Sequence, residues 1–309
     1  MRHSGGIQRE SFWRGRRSLP NSGHGAQPRA ITGPLHQPSN PPLRNPAAGS
    51  AVQAAMLAAT YASAPAEKIL ADHDILDRFY GHLPPKPRRT PMRELVSTIL
   101  SHRTTHADEE LAYDRMLEAF GDWAGVLAAP TPALAHAIRT TRWPDTQAPR
   151  IQEVLRRIQA ETDGEFTLDF LVEWPVERAM AWLTDMPGIG LKTASLLLLF
   201  NYHKPVLPVD AHVHRVAQRV GFLGPKVSVE KAHGVLLDLL PKEAETLFNF
   251  HKHNYWHGQQ ICFFLKPNCP RCPLKGFCNY YQEHYGPATA DALAATPQHW
   301  DEAWGKLPH

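Results

Sequence analysis

Residues 183–222, LTDMPGIGLKTASLLLLFNYHKPVLPVDAHVHRVAQRVGF, decide how the chain folds. Apolar residues at helical spacing (Val176, Ala179, Met180, Leu183) lead into this stretch, and Met186-Pro187-Gly188-Ile189-Gly190 interrupts them. Pro187 cannot continue a helix, and two glycines admit a tight turn with backbone brought close to another group. Helical residues resume at Leu191, and positions 196–200 are all apolar. A helix apolar on nearly every side is a buried one. The pattern predicts a helix, a glycine hairpin and a second helix whose unpaired first-turn N–H groups form a seat for an anion such as phosphate. Residues 205–208 read as an extended connection. Asp210 then precedes AHVHRVAQRVGF, with apolar Val213, Val216, Ala217 and Val220 on one face, so Asp210 reads as a helix N-cap.

The four cysteines are confined to residues 262–278, with the spacing C-x6-C-x2-C-x5-C. A disulfide framework would spread over a small secreted chain. Four thiolates this close in sequence suit one metal centre, and such sites divide between zinc and iron–sulfur. Zinc sites usually show two close cysteine pairs; here only Cys269 and Cys272 are close.

PGIGLKTA followed by VDAHVHRV, together with HG before the first cysteine and this asymmetric spacing, resembles the endonuclease III family of DNA base-excision glycosylases. The resemblance covers residues 66–285. It implies a nucleophilic Lys192 with Asp210 as its carboxylate partner, a partly buried lysine amine, and a [4Fe-4S] cluster on Cys262, Cys269, Cys272 and Cys278. It also implies DNA contacts from Gly188, Ile189 and Gly190 in the hairpin, from His212 and Arg215, and from Lys266, with Arg271 and Lys275, on a basic cluster loop. Two segments depart from the family pattern. Where relatives carry LLSAQATD, this chain reads ILSHRTTH, which puts Arg103 in place of the gap-filling glutamine. Where relatives carry IGLYNSKA, it reads TRWPDTQA: Trp143 stands at the wedge position, Arg142 replaces glycine and Gln147 replaces lysine. Two readings stand open. Arg103 and Trp143 probe DNA with altered preference, or Trp143 packs in the core while Arg103 meets phosphate or solvent.

Charge is unevenly spread over the 309 residues. Residues 1–65 hold seven Arg and one Glu, a formal +6, and the remainder carries 26 basic against 29 acidic groups, a formal −3. Nucleic-acid binding by the globular part would therefore use local patches, such as Lys192, Lys204, Arg215, Arg219 and Lys226. Residues 1–65 are rich in Pro, Gly, Ser and Arg and are expected to be disordered. Three readings compete, a basic arm, an organellar transit segment, or sequence upstream of a true start at Met56, and a dispensable tail is the favoured one, with organellar targeting the minor alternative. No apolar run approaches the ~20 residues of a membrane span, and no signal-peptide core stands near Met1, so a cytoplasmic location is expected.

Further along, helices are expected over 66–80, 91–100 (Thr90 capping, Pro91 opening), 108–120, 133–140, 149–159, 229–240 (Ser228 capping) and 242–256. Trp300 and Trp304 would share one helix face. No segment shows the period-two alternation of a strand, so the fold class is all-α. The resemblance implies two helical lobes. One is a six-helix barrel over 90–204 containing the helix-hairpin-helix at about 176–200. The other joins residues 66–89 to 205–285 and carries the cluster loop, with 286–309 as an extension. The implied function is removal of oxidised pyrimidines from double-stranded DNA by a monomeric enzyme, through a lysine Schiff base and β-elimination at the abasic site. Alternatives are a damage-binding protein on the same scaffold and a mismatch-directed adenine glycosylase, whose relatives generally lack the lysine.

Overall fold

The computed structural model describes Met56 and residues 64–301, and residues 64–301 fall within one compact unit. Expectations for the N-terminal tail and for Trp304 lie outside the described residues. Thirteen α-helices and no strand occur among the described residues. In chain order they are α1 Pro65–Tyr80, α2 Pro91–Leu100, α3 His106–Phe120, α4 Trp123–Ala128, α5 Thr131–Ala137, α6 Pro144–Glu161, α7 Val176–Thr184, α8 Leu191–Tyr202, α9 Ala211–Val220, α10 Val229–Leu239, α11 Ala244–Gln260, α12 Asn279–Tyr285 and α13 Ala290–Ala294.

Local chemistry sets most of the boundaries. Pro91 opens α2 after Thr90, although the Thr90 side chain makes no capping bond. Thr105, Asp122, Ser228 and Thr289 each accept a first-turn N–H from the helix they precede, meeting one of its unpaired donors. His203 ends α8 in the left-handed conformation, its N–H returning to Leu199 O.

Two helices differ from the sequence expectation. The helix expected from Pro149 begins at Pro144, because Trp143 O already accepts the N–H groups of Thr146 and Gln147. Pro149 is accommodated inside the helix and forgoes only one backbone bond. The helix expected over 133–140 starts at Thr131, capped by Pro130, and stops at Ala137.

Helices α2 to α8 pack among themselves, and α1 packs with α10 and α11, which lie with α9 and α12. The first helix thus joins the second half of the chain. A buried ammonium fixes it there: Lys68 Nζ donates to Phe277 O at 2.8 Å, to Val220 O at 3.3 Å and to Asn279 Oδ1. Phe79, Tyr80, His253, Trp256 and Trp300 form one aromatic cluster between α1 and α11. Helix α8 links the two neighbourhoods by packing on both α2 and α11. Its Leu197, Leu198 and Leu199 are buried, each contributing about 1.5–3 kcal/mol through the water it sheds.

Two histidines of α11 are sealed in this interior. His253 donates from Nε2 to Gly81 O, and His251 donates from Nδ1 to Pro208 O at 2.9 Å. Burial pushes His253 down to about 3 and His251 down to about 4. In the unfolded chain both titrate near 6.5. The unfolded state therefore takes up protons first on acidification, and stability that is complete above about pH 6.5 is lost as the pH falls toward 4, by about 1.4 kcal/mol per pH unit per histidine. Thermal unfolding followed by circular dichroism is expected to show a midpoint that is flat above pH 7 and falls below 6.5. His253→Gln, which keeps a donor for Gly81 O, should remove part of that slope; an unchanged slope would contradict the assignment.

Candidate active site

Gly188 and Gly190 build the hairpin between α7 and α8. Gly188 adopts φ +88°, a region closed to most side chains, and a Cβ there would lie 3.2 Å from Arg150 Cδ. The hairpin therefore rests directly on α6. Ile189 turns into the core, 4% exposed, so what it offers outward is backbone alone. Gly190 caps α8 with no Cβ obstruction within 4 Å, leaving the helix N-terminus open to approach.

Lys192 stands in the first turn of α8 with its side chain exposed. The partial burial expected for it is absent in the protein by itself, and among the described residues its ammonium has no hydrogen-bond or ion-pair partner. Asp210 is almost fully buried, and its Oδ1 accepts from His212 N at 2.8 Å and Val213 N at 2.9 Å. The same oxygen takes both bonds, so Oδ2 is uncommitted among the described residues. Lys192 and Asp210 converge on His251 of α11. Burial is the main reason that this imidazole stays neutral, the Asp210 carboxylate opposes it, and the Lys192 ammonium reinforces it. Lys192 also faces Glu94 of α2, whose carboxyl is held above its ordinary range by burial, against the pull of Arg89, Arg88 and Lys192.

Glu94, His251 and Arg150 were not singled out in the sequence. They come from α2, α11 and α6, each at least forty residues from Lys192, and only the packing of α8 on α2 and α11 and of the hairpin on α6 brings them together. No local pattern announced them.

The two departing loops form one structure. Arg103 follows α2 with φ +56°, which strains a residue bearing Cβ, and its side chain is exposed. Trp143 is 47% exposed with Arg142 stacked over it at 5.6 Å, so the alternative of a core tryptophan is overturned. Gln147, fully buried, binds the loops together. Its Nε2 donates to Ile99 O at 2.8 Å and Leu100 O at 3.2 Å, and its Oε1 accepts from Thr141 Oγ1. Arg142 N donates to Thr104 Oγ1 at 3.1 Å across the gap. Trp143 precedes Arg150 by seven residues, or about 10 Å along α6, so the loops adjoin the hairpin.

The basic patch expected on α9 is directed inward. Arg215 donates to Cys262 O at 2.9 Å, to Gly258 O at 2.7 Å and toward His212 Nδ1. Arg219 donates to Phe263 O at 2.6 Å and Phe264 O at 2.9 Å while its guanidinium covers the Tyr280 ring. Arg215 thus braces protein backbone instead of presenting itself to DNA, and Lys204 is spent on Val172 O and Trp174 O. Half-buried His212 lies edge-on to Tyr255. It abuts Gly258, where a Cβ would come within 2.7 Å of His212 Cβ. Lys266 is exposed, as expected for the cluster loop. Lys275 is not: it is 2% exposed and donates to Pro270 O.

Cys262, Cys269, Cys272 and Cys278 line one small pocket with Val216, Leu274 and Tyr281, and none forms a disulfide. Burial pushes the Cys272 and Cys278 thiols up, the latter to about 12, and neighbouring thiolates add to the effect. Ionising all four sulfurs in so confined a space would require a compensating cation. Two neighbours can support the thiolate form: His257 Nε2 lies 3.4 Å from Cys272 Sγ, and Arg219 Nη1 donates to Cys262 Sγ at 3.4 Å. The donor set fits a thiolate-ligated metal centre.

A helix-hairpin-helix in an all-helical fold, with lysine and aspartate at the entries of successive helices, defines a class of DNA-repair protein. The family described as HhH-GPD superfamily base excision DNA repair protein matches over residues 96–242. Endonuclease III of Thermotoga maritima is 32% identical over 192 residues, covering 62% of this chain and 84% of that protein. DNA glycosylase/AP lyase ROS1 of Arabidopsis thaliana is 29% identical over 191 residues, 57% of this chain but 13% of its own length. A solved trapped endonuclease III–DNA covalent intermediate aligns with 71% of this chain and 97% of its own, at TM-score 0.59 and 26% identity. The chain belongs to the endonuclease III family of base-excision DNA glycosylases.

Removing the Gln147 tie tests the description of the loops. Gln147→Leu takes away the side-chain donor of the Ile99 and Leu100 carbonyls, while Thr141 Oγ1 keeps its bond to Ile138 O, and should cost about 1–3 kcal/mol of stability in denaturant titrations. It should also free the Trp143 indole, read as a fall in its steady-state fluorescence anisotropy. A variant as stable and as anisotropic as the native protein would show that the loops stand independently.

Proposed function

We propose that the chain removes oxidised pyrimidines from double-stranded DNA through a Lys192 Schiff base and then nicks the abasic site by β-elimination. The observation that carries this reading is that an exposed Lys192 ammonium and the backbone-anchored Asp210 carboxylate both lie near enough to buried His251 to act on its charge. The open N-terminus of α8 and the Arg150 guanidinium beside Gly188 would hold a phosphate of the damaged strand. DNA would lie along the groove between the two helix neighbourhoods, the α2–α8 set forming the barrel lobe and α1 with α9–α12 the cluster lobe.

The flipped nucleotide costs a few kcal/mol to extrude, least where the lesion is already poorly paired. Asp210 accepts a proton from the Lys192 ammonium, and the neutral amine attacks the sugar C1′. The C1′–N bond breaks and the base departs with its electron pair. The same carboxylate stabilises positive charge developing on the sugar. Loss of the remaining proton from nitrogen and opening of the C1′–O4′ bond, with O4′ taking up a proton, give an imine that acidifies the C2′ proton, whose removal expels the 3′ phosphate. Docked DNA supplies the desolvation that Lys192 lacks in the protein alone, and lysine amines are activated by such burial. Arg103 and Trp143, fixed as one unit, would occupy the gap left by the flipped base and wedge the strand, with a preference altered from that of glutamine and leucine.

The four cysteines would ligate a [4Fe-4S] cluster. Once bound, that group cross-links the ends of the loop over residues 262–278 and holds it rigid. Protein prepared anaerobically should be brown and contain iron and sulfide; zinc in their place would refute the cofactor assignment.

The test of the chemistry is borohydride trapping on duplexes bearing an abasic site or an oxidised pyrimidine. Native protein should form a covalent adduct with both, and Lys192→Ala with neither. Asp210→Asn should slow adduct formation on the order of 10²-fold or more. Tight binding without an adduct would favour a damage-binding protein instead.

A further inference from the structure

The loop between Cys262 and Cys269 reads Phe-Phe-Leu-Lys-Pro-Asn, and its tip points apolar groups at water. Phe263 is 41% exposed, Phe264 74% and Leu265 76%. Neighbouring exposed apolar residues on a short loop need an explanation, and slackness does not supply one. Arg219 grips the carbonyls of Phe263 and Phe264, Arg215 grips that of Cys262, and Asn268 N closes the base on Ile261 O at 2.8 Å. Lys266 turns the chain at φ +53°. Two half-buried arginines hold this tip out in one shape.

The surroundings favour a polyanion as the covering surface. From residue 246 to residue 282 the sequence contains no Asp or Glu, while Lys266 stands at the tip itself. The tip is also continuous with the site. Arg215 and Arg219 rise from α9, whose N-cap is Asp210, and Arg219 lies about 13 Å along that helix from Asp210. At ~3.4 Å per nucleotide along a strand, this is about four steps from the reacting sugar.

We propose that Phe264 and Leu265 are an apolar wedge that enters the minor groove of the DNA about four nucleotides from the lesion, resting on deoxyribose faces and opening a base step. The proposal rests on the reading of this chain as a DNA glycosylase. Apolar side chains of this kind unstack steps and kink the duplex, and bending toward the cluster loop brings the strand across α9 to Lys192. With Arg215 and Arg219 committed to the loop backbone, contact at this end of the site is made by hydrophobic surface and one ammonium, where an all-basic loop would rely on phosphates. The tip therefore contributes affinity that salt does not erode.

The experiment compares native protein, the double variant Phe264→Ala/Leu265→Ala and Lys266→Ala on a short duplex carrying a tetrahydrofuran abasic analogue. Binding is followed by fluorescence anisotropy over a salt series, with 2-aminopurine in the duplex reporting unstacking. All three positions are exposed, so equal metal content and thermal midpoints are expected and verify folding. The double variant should bind about 10-fold more weakly, as loss of a base–aromatic contact does, with an unchanged slope of log affinity against log salt and a diminished 2-aminopurine signal. Lys266→Ala should instead lower the slope by about one. Native binding with an equally tight double variant overturns the wedge while leaving the glycosylase reading intact. A native dimer that the double variant dissolves, seen by light scattering, would make the tip a self-association surface and also overturn it. Native protein that fails to bind the duplex at all would sink the glycosylase reading and the wedge together.

Discussion

A single carboxylate oxygen organises this molecule. Asp210 Oδ1 accepts the N–H groups of His212 and Val213, and so fixes where the extended run after α8 becomes α9. Capping by a buried acid costs desolvation, which is offset here by two backbone donors and the positive end of the helix. Because the helix starts there, the rest follows in register. Val213, Val216, Ala217 and Val220 face the core. Arg215 and Arg219 reach the loop of the first cysteine, and His212 meets Gly258 on α11 at a separation that no larger residue at 258 would allow. The same oxygen thereby holds the carboxylate in one orientation and leaves Oδ2 uncommitted among the described residues. On the proposed mechanism, stability and chemistry share one side chain.

How charge is used follows from that register. The globular part is formally acidic, and several of its cations are spent on backbone carbonyls and a cysteine sulfur: Lys68, Lys204, Arg215, Arg219 and Lys275 all donate to the protein itself. Hydrogen bonds from charged donors are roughly twice as strong as neutral ones, and they tie together loops whose own side chains bury little apolar area. The cations left near the hairpin, Lys192 and Arg150, then stand with Arg103 and Arg142 of the adjoining loops as the ones open to a ligand. Selectivity for one point on a polyanion is better served by that arrangement than by a uniformly basic face.

Much of this was legible in residues 183–222 because the signals there are local. Proline and glycine end one helix, an unbroken leucine run demands burial, and an aspartate before a one-faced apolar pattern caps the next; all three readings match the observed elements. The helix opening at Pro144 was misread because two prolines compete for the same role and only the loop's hydrogen bonds choose between them. Helices α4, α12 and α13 are too short to display a period. The direction in which Lys275 and Arg215 point was invisible for a different reason. A long cationic side chain has the same sequence signature whether it faces solvent or a carbonyl, and the carbonyls concerned belong to the cysteine loop, whose path is set by tertiary packing. Glu94 and His251 escaped for the same cause: they matter through proximity to Lys192, and proximity across α2, α8 and α11 is written in no window of sequence.

The buried amide of Gln147 has a consequence for how the molecule inspects a duplex. It fastens the end of α2 to the start of α6, so that Arg103 and Trp143 move as one lever instead of two fingers. If Arg103 and Trp143 are the probing residues proposed above, a protein sliding along DNA with such a lever would press on neighbouring nucleotides together and sense their combined resistance. Weak pairing at one position lowers the force needed at both. Inherited change in one loop is then transmitted to the other, so the choice of damaged base and the tolerance of its partner would drift in step through evolution.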